Sequence, residues 1–497
     1  MLNASDITMR PAATLLELPF TADELLRALL RLAPGRRAQI LDSGGARGDG
    51  DEARFLIAGF EPFETIEARR DELLIERRGE TSARVEHGSL LSLLDERLAR
   101  YRVVRQETHD ALQLPVAGGA CIASFSYDLA REFQRLRSVA PANLDAPRDP
   151  DAALAFYDTL VVHDYARHVT YLTSIAGDET LARARHALEE AHRAKGFDEA
   201  EADGDDERLK TTASSNFTRG EYAAAVRRIK RHIYAGDIYQ ANLTQQFTCP
   251  LAEGDTAERV FLRLRHAHPA SFAAFLRRRE DTVISASPER FLRVAPDERD
   301  GARRVEAWPI KGTRARGETA AEDARLEREL RQSAKDAAEN VMIVDLLRND
   351  LGRVCRYGTI EVGALCEVQE HPTLFHLVSK VRGFLRAEVS AGELLRATYP
   401  CGSITGAPKL RAMEIIDDCE RAPRGLSMGA LGYFSFDGRI DLSVAIRTLT
   451  LRGRLARFNV GGGIVAESDP EAEYLESLVK ARALLGALGA QVASGRA

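Results

Sequence analysis

The sequence predicts an α+β fold in which large, mostly antiparallel sheet layers are flanked by helices. Three observations carry that prediction. Strand-like runs outnumber helical ones in the second half of the chain, and hairpin-like neighbours such as FDGRID (436–441) join successive runs. Helices and strands alternate irregularly, without the regular rhythm of a doubly wound parallel sheet.

At 497 residues, with 44% hydrophobic and 29% charged residues and a mean hydropathy of −0.26, the chain has the composition of a soluble globular protein. The net charge of −6 and the lack of a basic arm argue against a nucleic-acid binder. Six cysteines are scattered without CxxC or CxxH spacing, as expected of reduced thiols rather than a disulfide scaffold or zinc site. The N-terminal stretch carries no signal-peptide core and no later run reaches membrane-spanning length, so the cytoplasm is the expected compartment.

Residues 1–177 read as a first mixed region. A helix is expected over 21–32 and another in LLSLLDERLARYRVV (90–104), between strand-like runs such as AQILDSGG, ARFLIAGFEPFETIEA and ALAFYDTLVVHDYARHVTYLTSI. Residues 178–215 read as a charged helix followed by an acidic linker, GFDEAEADGDDERLKTTASS, with almost nothing to bury. A second region, 216–497, opens with a helix over 218–235 that has Thr218 at its N-cap and Gly236 as its stop. It continues through DTVISASPERFLRVA, RIDLSVAIRTLTLR and RLARFNVGGGIVA, each read as a strand-like run.

The stretch SAKDAAENVMIVDLLRNDLGR (333–353) reads as a helix too apolar for the surface, with Asp336 and Glu339 on one face. In SDPEAEYLESLVKARALL, Glu473, Glu476 and Lys480 fall at i, i+3 and i+7 on a second helix. Mg²⁺ takes oxygen ligands from one or two carboxylates plus substrate and water, a role open to Glu339 and Glu476; plain acidic first turns are the alternative. PIKGTRARGET (309–319) reads as a loop in which Gly312 frees the backbone beside Lys311. PCGSITGAPKLRAMEII (400–416) reads as a turn entering a helix, an anion cradle with Lys409 and Arg411 nearby or a simple cap. Glu289 stands at a strand boundary, and His376 lies in an apolar run where an internal hydrogen-bonded histidine is the commoner explanation. The glycines at 461–463 lack dinucleotide-fingerprint spacing but offer backbone N–H groups to an anion.

Taken together, GDIYQANLTQQF (236–247), SPERF, PIKGTR, KDAAENVMIVDLLRNDLGR, HLVS, GSITGAPKLRAMEII, DLSVAIRT and GGGIVAESDPEAEYLESLVKA resemble, in unbroken order, the chorismate-utilising enzymes. The first region is more weakly similar to the N-terminal part of the family's large subunits. The resemblance implies the family's α+β fold and Mg²⁺-dependent turnover of chorismate. Members that use water carry Lys where this chain has Gln240, so Gln240 implies ammonia as nucleophile. Anthranilate-forming members usually read PIAGT, whereas PIKGT is the form of those making aminodeoxychorismate for 4-aminobenzoate and folate. Lys311 is then the expected covalent nucleophile and Glu289 the acid that protonates the departing hydroxyl.

By the same resemblance Glu339 and Glu476 would hold Mg²⁺, with Asp336 and Glu473 as outer neighbours. Arg447 would pair with the side-chain carboxylate. The backbones of Gly461, Gly462, Gly463, Thr405 and Gly406 would donate N–H groups, and Gln240, His376 and Lys480 would complete the lining. Ser427 departs from the aromatic residue of relatives, and ILDS (40–43) departs from the LLES of the tryptophan site, so tryptophan binds there as a structural ligand or not at all. No GxCxG glutaminase turn occurs, which makes a separate glutamine amidotransferase the expected ammonia source and another enzyme the expected lyase. The alternatives are an anthranilate-forming component and a non-catalytic subunit of the same fold.

Overall fold

The computed structural model describes residues 14–44, 53–104, 107–134, 149–194, 211–297, 301–370 and 374–493. One sheet of thirteen strands and one of twelve face each other. Ile57, Leu160, Val162, Ala274 and Val283 of the first meet Ala120, Ile122, Ala155, Tyr157 and Leu431 of the second in one buried cluster. Helices cover the outer faces, Ala22–Arg36, Asp178–Arg193, Ala257–Ala267 and Pro470–Ala487 on the larger sheet, Leu90–Arg100 and Ala334–Gly352 on the other. Among the described strands only Thr211–Ser215 and Ala490–Val492 pair in parallel, so the predicted antiparallel α+β architecture holds. No helix among the described residues is long and apolar enough to cross a membrane.

Both sheets draw strands from both halves of the chain. Gln39–Asp42 pairs with Phe272–Arg277, and Ala120–Phe125 pairs with Ala430–Ser435. Residues 195–210 of the acidic linker lie outside the described residues, while its last five, Thr211–Ser215, form a strand against Gln240–Pro250. Two Thr and two Ser with alternating burial suit a sheet edge, which composition alone had assigned to linker. The helix Arg219–Tyr234 is closed by a capping box between Thr218 and Glu221, and Gly236 turns the chain at φ 81°.

Three sequence expectations change. The run DTVISASPERFLRVA is two strands, Asp281–Ser287 in the larger sheet and Arg290–Pro296 in the smaller, broken at Pro288 and Glu289. The run RIDLSVAIRTLTLR likewise splits into Ile440–Val444 and Thr448–Arg452, in different sheets, with Arg447 at φ 47° in the crossover. Local propensity favours a strand at either place and is silent about which sheet receives it. PIKGT is not a loop: Ile310–Ala315 is a strand paired with Leu374–Phe384, with a register shift at Gly312.

The helix Ala334–Gly352 is amphipathic rather than apolar all round. Asn340, Ile343, Val344, Leu347 and Leu351 are buried at helical spacing, and Val341 is 46% exposed. Ser333 caps it by accepting the Asp336 N–H at 3.2 Å.

Candidate active site

The two crossovers between sheets are bonded to each other. The Ser287 hydroxyl donates to the Val444 carbonyl at 2.6 Å, the Val444 N–H to the Glu289 carbonyl at 3.0 Å, and the Ala286 N–H to the Arg447 carbonyl at 3.0 Å. Glu289 and Arg447 are therefore held in one place by backbone geometry. Arg447 is partly buried and has no carboxylate partner among the described residues; burial alone pulls its guanidinium below the usual arginine range. A desolvated cation without a partner favours an anionic ligand.

Lys311 approaches from the bulged strand. Gly312 takes φ +78°, and a Cβ there would lie 2.8 Å from Leu330 and 3.0 Å from Asp336, so only glycine lets the strand press onto the acidic helix. Lys311 Nζ stands 3.7 Å from Glu339 Oε2, with side chains 16% and 15% exposed. Asp336 is engaged elsewhere, accepting from Arg314 at 3.2 Å. Asn340 is fully buried, donating to the Leu377 carbonyl and accepting from Ser379, and so fixes this helix on the strand that neighbours Lys311. His376 is buried with its Nδ1 3.0 Å from the Thr313 hydroxyl, which fits the internal hydrogen-bonded reading.

The second acidic helix faces the glycine strand, Leu455–Ile464. A Cβ at Gly462 would lie 3.3 Å from Glu473 Oε2, 3.5 Å from Lys480 Nζ and 3.7 Å from Glu476 Oε1. The spacing read from the sequence thus converges on one glycine. Lys480 bridges Glu476 at 2.8 Å and the Gly461 carbonyl at 2.9 Å. Burial raises the Glu473 carboxyl, opposed by the Ser468 hydroxyl, while Glu476 is lowered because Lys480, Lys335 and Lys311 outweigh its desolvation. Lys335, in the first turn of the other helix and missed by sequence reasoning, lends its charge to the electrostatics of both carboxylates. The strand pairs with Thr448–Arg452 only as far as Arg457, so beyond it one edge carries no ladder partner among the described residues. Asn459 turns its N–H to that side, donating to Ser427 at 3.0 Å, and by alternation Gly461 and Gly463 turn theirs there too. Ser427 is thus a buried tie within the sheet.

Gln240 is fully buried, and neither its Oε1 nor its Nε2 has a partner among the described residues. A Cβ at Gly463 would lie 2.7 Å from its Nε2. An amide left so is completed by a ligand or water.

The loop between Thr398 and Gly406 closes the site. Its anion-cradle reading is corrected. Lys409 is buried and donates to Asp350 at 2.5 Å, the Pro400 carbonyl at 2.8 Å and the Thr398 carbonyl at 2.9 Å; Arg411 pairs with Asp237 and Glu414. The Thr405 N–H goes to the Gly402 carbonyl at 3.3 Å, which removes it from the expected donors. Two motifs that the sequence leaves unconnected, RND and GAPK, are joined by this ion pair. Lys409→Met is expected to destabilise the chain by about 3–5 kcal/mol, read as a lower urea midpoint, because Asp350 and two carbonyls lose their donor in the interior.

Glu289 lies 5% exposed beside this loop, with Oε1 unpartnered among the described residues. Burial pushes its carboxyl up to about 7 against the pull of the Ser403 hydroxyl, the Lys311 charge and the Ile310 N–H. No three metal-ligating side chains converge among the described residues. Glu339 and Glu476 each lie beside a lysine, Lys311 at 3.7 Å and Lys480 at 2.8 Å, and are carboxylates of the kind that a hard cation takes together with substrate and water oxygens.

Residues 45–486 match the family described as chorismate binding enzyme. The chain belongs to that family. It is 38% identical to aminodeoxychorismate synthase component 1 of Escherichia coli over 90% of this chain and 92% of that one. It is 39% identical to anthranilate synthase component 1 of Haloarcula marismortui over 81% of each. The crystal structure of anthranilate synthase component I from Streptococcus pneumoniae superposes with a TM-score of 0.72 at 28% identity, covering 88% of this chain and 93% of that one. In this chorismate binding enzyme Lys311 stands beside Glu339, Gln240 beside Gly463, Glu473, Glu476 and Lys480 beside Gly462, and the crossovers that carry Glu289 and Arg447 are bonded to each other. Asp336 and Thr405 have partners of their own. Lys335 and Ser403 escaped notice because a surface-type lysine and a turn serine carry no signal until their neighbours are known.

Proposed function

We propose that this enzyme converts chorismate and ammonia to 4-amino-4-deoxychorismate through a covalent adduct on Lys311. The observation that carries the reading is Lys311, held 3.7 Å from Glu339 on the bulged strand, with its charge acting on the buried acid Glu289. A nucleophile and a proton donor within one charge field suit a two-step substitution. The Lys311 amine, having lost its proton, adds at carbon 2; the ring double bonds shift and the carbon 4 hydroxyl leaves as water with the proton of Glu289. Ammonia then adds at carbon 4 and the electrons return to expel the Lys311 amine. Arg447 takes the side-chain carboxylate, the Gly461 and Gly463 N–H groups take the ring carboxylate, and Gln240 faces the incoming ammonia. Glu339 and Glu476 would hold Mg²⁺, which when bound neutralises and orients the ring carboxylate.

The relatives named component 1 support a second component, and a separate glutamine amidotransferase is the proposed ammonia source. The second reading, an anthranilate-forming enzyme, is supported by anthranilate synthases that are 39% and 33% identical over 81% and 88% of this chain. One product assay separates them. The purified chain with chorismate, Mg²⁺ and ammonium is expected to yield 4-aminobenzoate only when an aminodeoxychorismate lyase is added. Anthranilate formed without the lyase would overturn the proposal.

A further inference from the structure

One face of the strand Gln240–Pro250 carries polar side chains at every second residue, Gln240, Asn242, Thr244 and Gln246. Away from the site the row is paired. Gln246 Nε2 donates to Asn459 Oδ1 at 3.3 Å, Asn459 Nδ2 to the Thr244 hydroxyl at 3.1 Å, and that hydroxyl to Glu420 Oε1 at 2.8 Å. At the site end the pairing stops. Asn242 is 6% exposed and its Nδ2 has no partner among the described residues; neither atom of the fully buried Gln240 amide has one there either. The Asn242 backbone, by contrast, is fixed: its N–H donates to the Thr405 carbonyl at 2.7 Å and its carbonyl accepts from Arg424 at 2.5 Å. Both amides stand beside Gly463. That glycine is the ladder partner of Asn242, and a Cβ on it would lie 2.7 Å from Gln240 Nε2 and 3.0 Å from Gln240 Cδ. A buried amide N–H costs free energy unless something accepts from it, and two such amides on one strand face mark a place for a small polar molecule.

We propose that Asn242 is a second ammonia-binding residue, which with Gln240 holds the neutral nucleophile beside Gly463 before it adds to the ring. The inference rests on the proposed use of ammonia by this enzyme. Ammonia has three N–H donors and one lone pair. It donates to the amide oxygen of Gln240 and accepts the N–H of Asn242, so one molecule completes a group on each side chain. Ammonium has no lone pair and would set its own N–H groups against that of Asn242, so the two amides favour the neutral species. A carboxylate in the place of Asn242 would bind ammonium and hold it protonated, whereas an amide leaves the lone pair to pass from the Asn242 N–H to carbon 4 as the new bond forms. Adduct formation at Lys311 precedes that step and asks nothing of Asn242.

The test compares the wild-type full chain with Asn242→Asp, the same size without an N–H donor, and Asn242→Leu, of similar shape without a polar group. Amination is followed with chorismate, Mg²⁺, ammonium at fixed pH and an added aminodeoxychorismate lyase. The Lys311 adduct is followed by mass spectrometry of acid-quenched mixtures without ammonium. Both variants are expected to raise the ammonium KM about 5- to 20-fold, the worth of one lost hydrogen bond, with chorismate KM within about twofold and the adduct yield of the wild type. Asn242→Leu is also expected to keep the wild-type urea midpoint, since the Nδ2 it removes has no partner among the described residues. An ammonium KM in Asn242→Leu within about twofold of wild type would overturn the inference. Adduct formation lost in step with amination, or a lowered urea midpoint in Asn242→Leu, would make Asn242 a structural residue and overturn it as well. Should Asn242→Asp not fold, Asn242→Leu decides alone. A wild-type chain that forms no adduct would instead sink the covalent reading, an outcome separate from failure of Asn242, on which the ammonium KM still decides.

Discussion

Lys311→Ala is expected to lose amination of chorismate by on the order of 10³-fold or more, because it removes the group to which the substrate becomes attached. The informative companion is Lys311→Arg. Arginine keeps a cation beside Glu339, now 3.7 Å from Nζ, but its guanidinium stays protonated and is no nucleophile. If Lys311 serves only as a charge, the arginine variant retains most activity; if it forms the adduct, both variants are equally dead. Intact-protein mass spectrometry of an acid-quenched, ammonia-free mixture is expected to find one chorismate less one water on the wild-type chain and none on either variant. Alanine activity within tenfold of wild type, with no adduct, would return Lys311 to a structural pairing.

Glu289→Gln is expected to lower kcat by about 10²- to 10⁴-fold, the usual worth of a positioned proton donor. The sign of the pH dependence follows from burial. Burial pushes the carboxyl up to about 7, out of the ordinary carboxylate range, so near neutral pH it is able to carry the proton it must donate. Below that pH the acid is loaded; as pH rises through about 7 it ionises, and kcat/KM of the wild type is expected to fall. The glutamine variant is expected to lack that limb. An unchanged limb in Glu289→Gln would assign it to another group. One oxygen of the carboxyl has no partner among the described residues, and a carboxylate accepting hydrogen bonds on both oxygens would be held ionised and useless as an acid.

Residue types and spacing were enough for the local arrangement of the second acidic helix. Glu473, Glu476 and Lys480 share a face because 3.6 residues make a turn, and they meet at Gly462 as that arithmetic requires. Thr218 and Gly236 bound their helix through local capping chemistry, which needs no distant partner. The ordered motifs carried the family, and Gln240 and Lys311 carried the reaction proposed for it, since side-chain chemistry is written directly in the residue. Tertiary structure decided what depends on contacts far apart in the chain. Two runs that read as single strands are each divided between sheets, and the breaks at Glu289 and Arg447 create the site; strand propensity is the same on both sides of each break. PIKGT became a strand only through pairing with Leu374–Phe384, some sixty residues on, which no local pattern announces. Lys409 looked like an anion-binding charge and is instead a buried tie to Asp350, because desolvation makes a lysine seek every acceptor within reach. The loop from Thr398 to Gly406 is held by Lys409, Arg424 and the Asn242 N–H, all outside it, which no local pattern in the loop announces. Sequence by itself determined the capped helix over 219–234 and the family, and supplied the residues of the proposed chemistry; the fold decided which groups lose water and face one another, since desolvation is a property of the packed whole.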